Sequence, residues 1–397
     1  MEKLFLLSQR KAQETKLDFQ RFLLDKIDWN DRLIGILGAR GSGKTTLLLQ
    51  HLKKDLPIDG SAAYVSLDDF YFTENSLLDF SEEFHLRGGK VLLLDEIHRY
   101  PTWSRELKLV YDNFPSLKAV FTSSSILEIY KGEADLSRRL VSYNLPELSL
   151  REFIQLEKGI QLPTVNFSDI LKNHVSIASE ILDQVPPIPE FLAYQKFGAY
   201  PFFKEGKEKF YEKLKRTVQL TIELDLNAVE NLDYDTIFKL KRLIRMISTS
   251  VPFTPNVSEL SRKTGISRPT LLRALDLLER ANIIQSLHKP NVGIGALTKP
   301  EKIYLANTNL LYALAEDNVN TGTIRETFFA NQVKQIGTVN LAAKVDFLVD
   351  ERWTFEVGGK NKTSSQIKDL PDAFLVKDDI EIGVKNTIPL WLFGFLY

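Results

Sequence analysis

The chain has 397 residues, and its 44% hydrophobic and 26% charged residues are typical of a folded protein with about two or three domains. The formal net charge of −1 excludes a basic surface over the whole chain, and the lack of cysteine excludes disulfides, thiolate metal ligands and cysteine nucleophiles. Neither a signal peptide nor an apolar run long enough for a membrane span is visible, so we expect a cytoplasmic protein without membrane contact.

The first predicted domain covers residues 1–148 and alternates short apolar runs with longer amphipathic segments. Strands are predicted at Leu33–Leu37, Ala62–Leu67, Val91–Leu94 and Lys118–Thr122, and helices at Thr45–Lys54 and Trp103–Asn113. Because strands that alternate with helices form parallel sheets with both faces covered, the predicted fold class is α/β.

A glycine-rich segment joins the first predicted strand to the helix after it. Its sequence, Gly-Ala-Arg-Gly-Ser-Gly-Lys-Thr-Thr, fits the P-loop pattern G-x-x-x-x-G-K-[ST]. Glycine lets successive backbone N–H groups converge on phosphates, and the helix N-terminus adds its positive end. We therefore predict that ATP is bound by Gly38, Ala39, Arg40, Gly41, Ser42, Gly43, Lys44, Thr45 and Thr46. Lys44 is expected to reach the β- and γ-phosphates, and Thr45 to bind Mg²⁺.

Two carboxylates stand at the end of the strand Val91–Leu94, where ligands bind in open α/β sheets. Asp95 is predicted to hold Mg²⁺ through water, and Glu96 to polarise the water that attacks the nucleotide. An acidic pair that follows a P-loop in this way favours ATP hydrolysis over a simple nucleotide switch.

Two further groups of polar residues are candidates for the same site. The fourth strand ends in four hydroxyls, Thr122–Ser125, with Ser123 and Ser124 as the site candidates. One hydroxyl is expected to orient the attacking water or contact the γ-phosphate; a serine-rich turn that caps a helix is the alternative. Arg138 or Arg139 is expected to stabilise charge on the γ-phosphate, within its own subunit or from a neighbouring one. The alternative for these arginines is a surface ion pair with a nearby acidic residue.

These motifs, in this order, resemble the prokaryotic AAA-type P-loop ATPases. Besides the P-loop, the similarity includes Leu94–His98, Thr122–Ser125, Asp135–Leu140, Leu145–Phe153 and Phe191–Pro201, and it covers essentially the whole chain. The resemblance implies a P-loop NTPase sheet of the AAA+ (ASCE) type, ATP binding and hydrolysis, and one of the two arginines as a sensor or finger. A finger that acts in trans would require an oligomer.

The strand pattern stops after residue 148, and residues 149–234 are predicted to form a helical lid. Residues 235–296 are similar to winged helix-turn-helix domains. Ser258 is expected to cap one helix and Gly265 to end it, while Ser267 caps the next helix. DNA contact is therefore predicted for Arg262, Lys263, Arg268, Thr270 and Arg273. The alternative is a winged helix that serves only as a packing or lid element.

Residues 297–397 form a predicted α/β domain, with strands at Lys302–Ala306, Val345–Val349, Trp353–Val357, Ala373–Val376 and Pro389–Phe393. A helix acid, a strand aspartate and a glutamate in the next strand resemble the metal site of a restriction-endonuclease-like domain of unknown function. The residues predicted for this second site are Glu326, Asp346, Glu356 and Lys360. Gly358 occupies the place where that fold carries its lysine, so a nuclease-like domain without cleavage activity is favoured over an active nuclease.

The sequence thus predicts an ATP-binding protein with Mg²⁺-dependent ATP hydrolysis. We expect a nucleotide-driven switch that acts on double-stranded DNA through the winged helix and the C-terminal domain. Two alternatives stay open, an ATP-gated nuclease and a signalling or scaffold ATPase that binds a protein partner.

Overall fold

The computed structural model describes residues 1–123, 136, 138–227, 232–249, 254, 256–290, 299–315 and 319–397. These residues divide into two compact units. The first contains the described residues of Met1–Glu147, and the second contains Leu148–Asn227 with the described residues from 232 onwards. Within these ranges, no helix combines the length and the apolar character that crossing a membrane requires.

A parallel sheet forms the centre of the first unit. Its helices and strands are α1 (Glu2–Glu14), β1 (Leu33–Leu37), α2 (Lys44–Asp55), β2 (Ala62–Ser66), α3 (Tyr71–Glu74), α4 (Leu77–Leu86), β3 (Val91–Asp95), α5 (Trp103–Asn113), β4 (Lys118–Ser123) and β5 (Val141–Asn144). The strand order is β2-β3-β4-β1-β5, and all neighbours are parallel. This confirms the α/β fold class, with β4 inserted between the P-loop strand β1 and the acidic strand β3.

The strands alternate their side chains between two hydrophobic cores, one on each face of the sheet. In β1, Leu33 and Leu37 enter one core, whereas Ile34 and Ile36 enter the other. Such alternation follows from the two-residue period of a strand, and helices cover both faces because both are apolar. The exposed strand β5 lacks this apolar pattern, which is why it was not predicted.

The second unit is mostly helical before residue 281 and mixed after it. Its elements are α6 (Leu150–Lys158), α7 (Phe167–Leu182), α8 (Pro187–Ala193), α9 (Phe210–Leu220), α10 (Tyr234–Thr249), α11 (Val257–Thr264), α12 (Arg268–Arg280), β6 (Ile284–Leu287), β7 (Lys302–Leu305), α13 (Thr308–Leu314), α14 (Thr321–Val333), β8 (Val339–Leu341), β9 (Phe347–Val349), β10 (Trp353–Gly358), β11 (Ala373–Lys377) and β12 (Thr387–Pro389). Strands β6 and β7 form an antiparallel pair, and the other five form a mixed sheet in the order β12-β11-β10-β9-β8.

Helices α10, α11 and α12, followed by the β6–β7 pair, have the element order that a winged helix-turn-helix requires. Gly265 ends α11 in the left-handed region with φ 73°, and the Ser267 side chain caps α12, as expected. The expected cap at Ser258 is wrong, because α11 begins at Val257, and the side chain of Asn256 is the cap that accepts the N–H of Glu259. The winged-helix assignment itself stays a prediction, and residues 291–298 of its expected wing lie outside the described residues.

The end of the sequence packs against α6. Ser149 Oγ and Arg151 Nε each donate to the Tyr397 backbone oxygen, at 2.9 Å in both cases. The preceding Leu390–Phe395 forms a buried 3₁₀ turn rather than the predicted strand at Pro389–Phe393, because periodicity does not distinguish a continuous apolar run in a strand from one in a buried helix. Residues from the predicted lid and the predicted C-terminal domain therefore share one compact unit.

Substitution of Trp391, whose side chain is 1% exposed, tests this packing. Its indole nitrogen donates to the Ile380 carbonyl at 3.2 Å. We expect Trp391→Ala to lower the free energy of unfolding by about 3–5 kcal/mol, because it leaves a large cavity. Ile382→Ala is the matched control, since Ile382 is 43% exposed and should cost less than about 0.5 kcal/mol. Urea unfolding followed by circular dichroism measures both changes; equal losses in the two variants would contradict a buried position for Trp391.

Candidate functional site

The P-loop connects β1 to α2 at the carboxyl edge of the parallel sheet. Gly41 and Gly43 have φ values of 85° and 97°, in the left-handed region that glycine adopts at least cost. A Cβ atom at Gly38 would lie 2.3 Å from the Leu145 carbonyl oxygen, so a side chain is excluded there as well. These three glycines are thus required by the local backbone, as well as by the motif.

Lys44 begins α2, and its buried side chain turns back into the loop. Its Nζ donates to the carbonyl oxygens of Gly38 at 2.9 Å and Ala39 at 2.8 Å. An ammonium group and a helix N-terminus are thereby brought to the same loop, an arrangement that attracts phosphate.

Arg21 donates hydrogen bonds to the P-loop. It was not predicted from the sequence, because no motif surrounds it. The side chain is 4% exposed. It donates to the Ser42 carbonyl at 2.5 Å and to the carbonyls of Pro146 and Glu147 at 2.7 and 3.2 Å. The guanidinium group therefore ties the P-loop to the segment after β5.

Asp95 lies buried at the end of β3, and three hydroxyl groups donate to its carboxylate. Thr45 Oγ1 and Tyr64 OH donate to Oδ2 at 2.8 and 2.7 Å, and Thr122 Oγ1 donates to Oδ1. Burial, and next the charge of Asp95, raise the pKa of the Tyr64 phenol, so that it keeps its proton and acts as a donor. Thr45 and Asp95 are adjacent, as the motifs predict, whereas the donation from Tyr64 was not predicted. Thr122 is one of the four hydroxyls predicted to end the fourth strand, but its contact with Asp95 was not predicted.

Glu96 follows Asp95 with a φ of 52°, a left-handed conformation that is uncommon for a residue with a side chain. Its backbone N–H donates to Thr122 Oγ1 at 3.1 Å, and its carboxylate lies 3.3 Å from His98 Nε2. His98 Nδ1 is in turn 3.2 Å from Ser123 Oγ. Burial raises the pKa of Glu96 against the opposing charge of Lys44, and a raised pKa makes a carboxylate a better proton acceptor.

A cavity of about 430 Å³ opens beside these carboxylates. Its lining includes residues of the P-loop, of β2 and β3 and of helix α1, among them Arg40, Thr45, Tyr64, Asp95, Glu96 and Lys11. The volume falls within the range of small-molecule sites, and the polar lining suits a charged ligand.

The two candidate arginines differ in their surroundings. Arg139 makes a bidentate ion pair with Asp112 on α5, with N–O distances of 2.8 and 3.0 Å. Arg138 is solvent-exposed. Ser123 is fully buried beside His98, and the other predicted hydroxyl, Ser124, lies outside the described residues.

The five residues predicted to contact DNA are all solvent-exposed on α11 and α12, namely Arg262, Lys263, Arg268, Thr270 and Arg273. Lys263 pairs with Glu259 at 2.6 Å, and Thr270 Oγ1 lies 2.8 Å from Ser267 Oγ. The exposed surface is therefore basic but partly neutralised.

The predicted second site joins α14 to the mixed sheet of the second unit. Glu326 accepts hydrogen bonds from Lys302 Nζ at 2.8 Å and from Tyr304 OH at 2.6 Å. Asp346 Oδ2 accepts the N–H of Val357 at 2.9 Å. Burial, and next the charge of Glu326, raise the pKa of Asp346 to about 6, so the acidic groups interact electrostatically.

Lys362, and not the predicted Lys360, forms the ion pair with Glu356, at 2.5 Å. A Cβ at Gly358 would lie 2.6 Å from Lys362 Cβ, so the missing side chain makes room for the lysine to fold back. Lys360 is solvent-exposed. Over the described ranges of the chain, no group of three or more His, Asp or Glu side chains is arranged to hold a metal ion. Lysines therefore neutralise two of the three predicted carboxylates.

Comparison with known proteins gives two family matches. Residues 30–154 match the family model of the AAA domain, and residues 190–321 match a domain of unknown function, DUF8612. An uncharacterised protein of Methanocaldococcus jannaschii is 26% identical over 306 residues, which is 71% of this chain, and the chain spans 63% of that relative's length.

Two solved structures are similar at low identity. A Walker-type ATPase of Pyrococcus abyssi has a TM-score of 0.41 and 14% identity, over 79% of this chain and 96% of that one. AMPPCP-bound DnaA from Aquifex aeolicus has a TM-score of 0.27 and 16% identity, over 69% of this chain and 87% of that one. Similarity at this level carries no conclusion about substrates or partners.

A P-loop at the carboxyl edge of a parallel sheet, faced by the acidic end of β3, defines the fold of a P-loop nucleotide-binding protein. The AAA match covers residues 30–154 and agrees with this sheet order, so this part of the chain is an AAA-type P-loop domain. This type of fold indicates nucleotide binding and hydrolysis.

Arg21 allows a test of the loop support. We expect Arg21→Met to lower the unfolding temperature and to weaken the binding of a fluorescent ATP analogue. The reason is that each buried carbonyl left without a donor costs about 1–3 kcal/mol. Arg10→Met is the control, because Arg10 is an exposed arginine of the same unit. Unchanged binding by both variants would mean that the P-loop keeps its shape without the guanidinium group.

Proposed function

We propose that the protein is a Mg²⁺-dependent ATPase that works as a nucleotide-driven switch on DNA. The observation that carries the ATPase part is the 2.8 Å contact between the Thr45 hydroxyl and the Asp95 carboxylate beside the P-loop. This contact joins the two segments that a nucleotide and its metal ion require, one at the start of α2 and one at the end of β3.

The residues at this point fit Mg²⁺. Thr45 and Asp95 both present oxygen atoms, the ligand type that this ion prefers. Thr45 would bind it directly and Asp95 through water. When bound, Mg²⁺ neutralises negative charge on the phosphates.

The protein's own groups supply the remaining steps. The N–H groups of the P-loop and the Lys44 ammonium hold the phosphates, and Glu96 accepts a proton from the attacking water. Arg138 is the stronger candidate for the γ-phosphate, because Arg139 is held by Asp112. An exposed arginine can act on the nucleotide of a second copy, so an oligomer is part of the proposal.

Glu96→Gln tests hydrolysis separately from binding. An amide cannot accept the proton, so we expect kcat to fall by about 10²-fold or more while a fluorescent ATP analogue still binds. Glu83→Gln is the control, since Glu83 lies on the surface of the same unit and pairs with Arg87. Phosphate release by the purified protein measures turnover. Equal turnover of wild type and Glu96→Gln would remove Glu96 from the reaction, and a wild type without turnover would reduce the protein to a nucleotide-binding switch.

The DNA part of the proposal is supported by the exposed basic residues of α11 and α12. Arg262 and Arg268 are solvent-exposed on successive helices, at the positions from which a helix-turn-helix contacts a duplex. Nucleotide state would change the affinity of this surface for DNA, which is what a switch requires.

The double variant Arg262→Ala/Arg268→Ala is expected to weaken binding to a DNA duplex and to reduce the salt dependence of the binding constant. The slope should fall by about 1 for each phosphate that the variant no longer neutralises. Lys215→Ala/Arg216→Ala, which removes two exposed charges from α9, is the control. Fluorescence anisotropy at several salt concentrations, with and without ATP, makes the measurement. Equal weakening in both double variants would contradict a specific DNA surface and favour the scaffold alternative with a protein partner.

The ATP-gated nuclease is the second candidate. One observation favours it. Lys362 reaches Glu356 through the space left at Gly358, so a lysine lies beside this carboxylate although Gly358 occupies the position where the nuclease-like fold carries its lysine. Cleavage of the duplex in the binding assay, absent in Glu356→Ala, would indicate this activity instead of a binding role.

A further inference from the structure

His98 lies in the short turn after Glu96 and touches side chains from two strand ends. Its side chain is 3% exposed. Nε2 lies 3.3 Å from Glu96 Oε2, and Nδ1 lies 3.2 Å from Ser123 Oγ. The ring therefore bridges the end of β3 and the end of β4.

The chemistry of the three groups indicates which ring nitrogen carries the proton. An ionised carboxylate only accepts hydrogen bonds, and a neutral imidazole has one donor and one acceptor nitrogen. Nε2 therefore carries the proton and faces the Glu96 carboxylate, while Nδ1 accepts from the Ser123 hydroxyl. This single tautomer satisfies both contacts.

Ser123 lies next to the strand that leads into the P-loop. It is paired in register with Leu37, the last residue of β1 before the P-loop. Glu96 lies at the end of β3, on the other side of β4. Its backbone is already fixed by the hydrogen bond to Thr122 and by its left-handed conformation, so the remaining freedom of Glu96 is in its side chain.

We propose that His98 is a positioning residue that orients the Glu96 carboxylate and couples it to the Ser123 hydroxyl. When a phosphate oxygen at the P-loop draws the Ser123 hydroxyl towards itself, the contact between Ser123 and Nδ1 weakens, and the ring reorients together with Glu96. The carboxylate thus responds to the occupied phosphate site through one imidazole. The inference rests on the proposed ATPase function, because it assigns a partner to the residue that acts on water.

Turnover and nucleotide binding are compared first for the wild type, His98→Ala, His98→Gln and His85→Ala. We expect His98→Ala to lower kcat by about tenfold to a hundredfold, because a misplacement of about 1 Å can cost 10²-fold. Binding of a fluorescent ATP analogue should stay unchanged. His98→Gln, which keeps a donor and an acceptor, should recover part of the loss. His85 is a histidine of the same unit that packs on Phe114, away from the site, and its variant should behave as wild type.

A double-mutant cycle tests the coupling. Ser123→Ala should lower kcat by a smaller factor in the His98→Ala background than in the wild type, because the path to Glu96 is already broken. The same factor in both backgrounds would overturn the coupling.

Nitrogen NMR of histidine-labelled protein tests the relay without any turnover. The His98 signals, identified by their loss in His98→Gln, should show a proton on Nε2 and an acceptor at Nδ1. Both Ser123→Ala and a non-hydrolysable ATP analogue should shift the Nδ1 resonance. A proton on Nδ1, or a resonance that neither change moves, would overturn the inference. A wild type without turnover would instead refute the proposed ATPase, and the NMR result would still decide the role of His98.

Discussion

The buried carboxylate of Asp95 is the constraint on which the nucleotide site depends. A charge in a protein interior is stable only when donors replace the water that it has lost. Here the donors are the hydroxyls of Thr45, Tyr64 and Thr122, which belong to α2, β2 and β4. Satisfying one charge therefore fixes three segments that are distant in the sequence, and the phosphate loop meets the acidic strand end as a result.

Strand β4 connects this carboxylate to the rest of the site. Successive residues of a strand point to opposite faces, so Thr122 and Ser123 serve different partners. Thr122 donates to Asp95 and accepts the N–H of Glu96, while Ser123 contacts His98. Strand β4 lies between β1 and β3. Its neighbouring residues Thr122 and Ser123 therefore contact both Asp95, the carboxylate expected to bind the metal ion, and His98, the residue proposed to orient Glu96.

The parts of the molecule that local sequence determines were predictable. The bounds of β1 and α5 agree with the prediction to the residue, since burial imposes a local pattern on strands and helices. Arg21 and Tyr64 were not predicted, because the contacts that give them a role come from distant segments. Lys362 was missed for a related reason: residue spacing does not reveal that the chain after Gly358 folds back.

The support of the P-loop by Arg21 also bears on how the protein is made. The motif itself is complete at Thr46, but two of the three carbonyls that Arg21 binds belong to Pro146 and Glu147. A chain emerging from the ribosome therefore carries the whole P-loop well before it carries the residues that brace it. If the loop needs this support, we expect bound nucleotide to stabilise the domain only after β5 has joined the sheet.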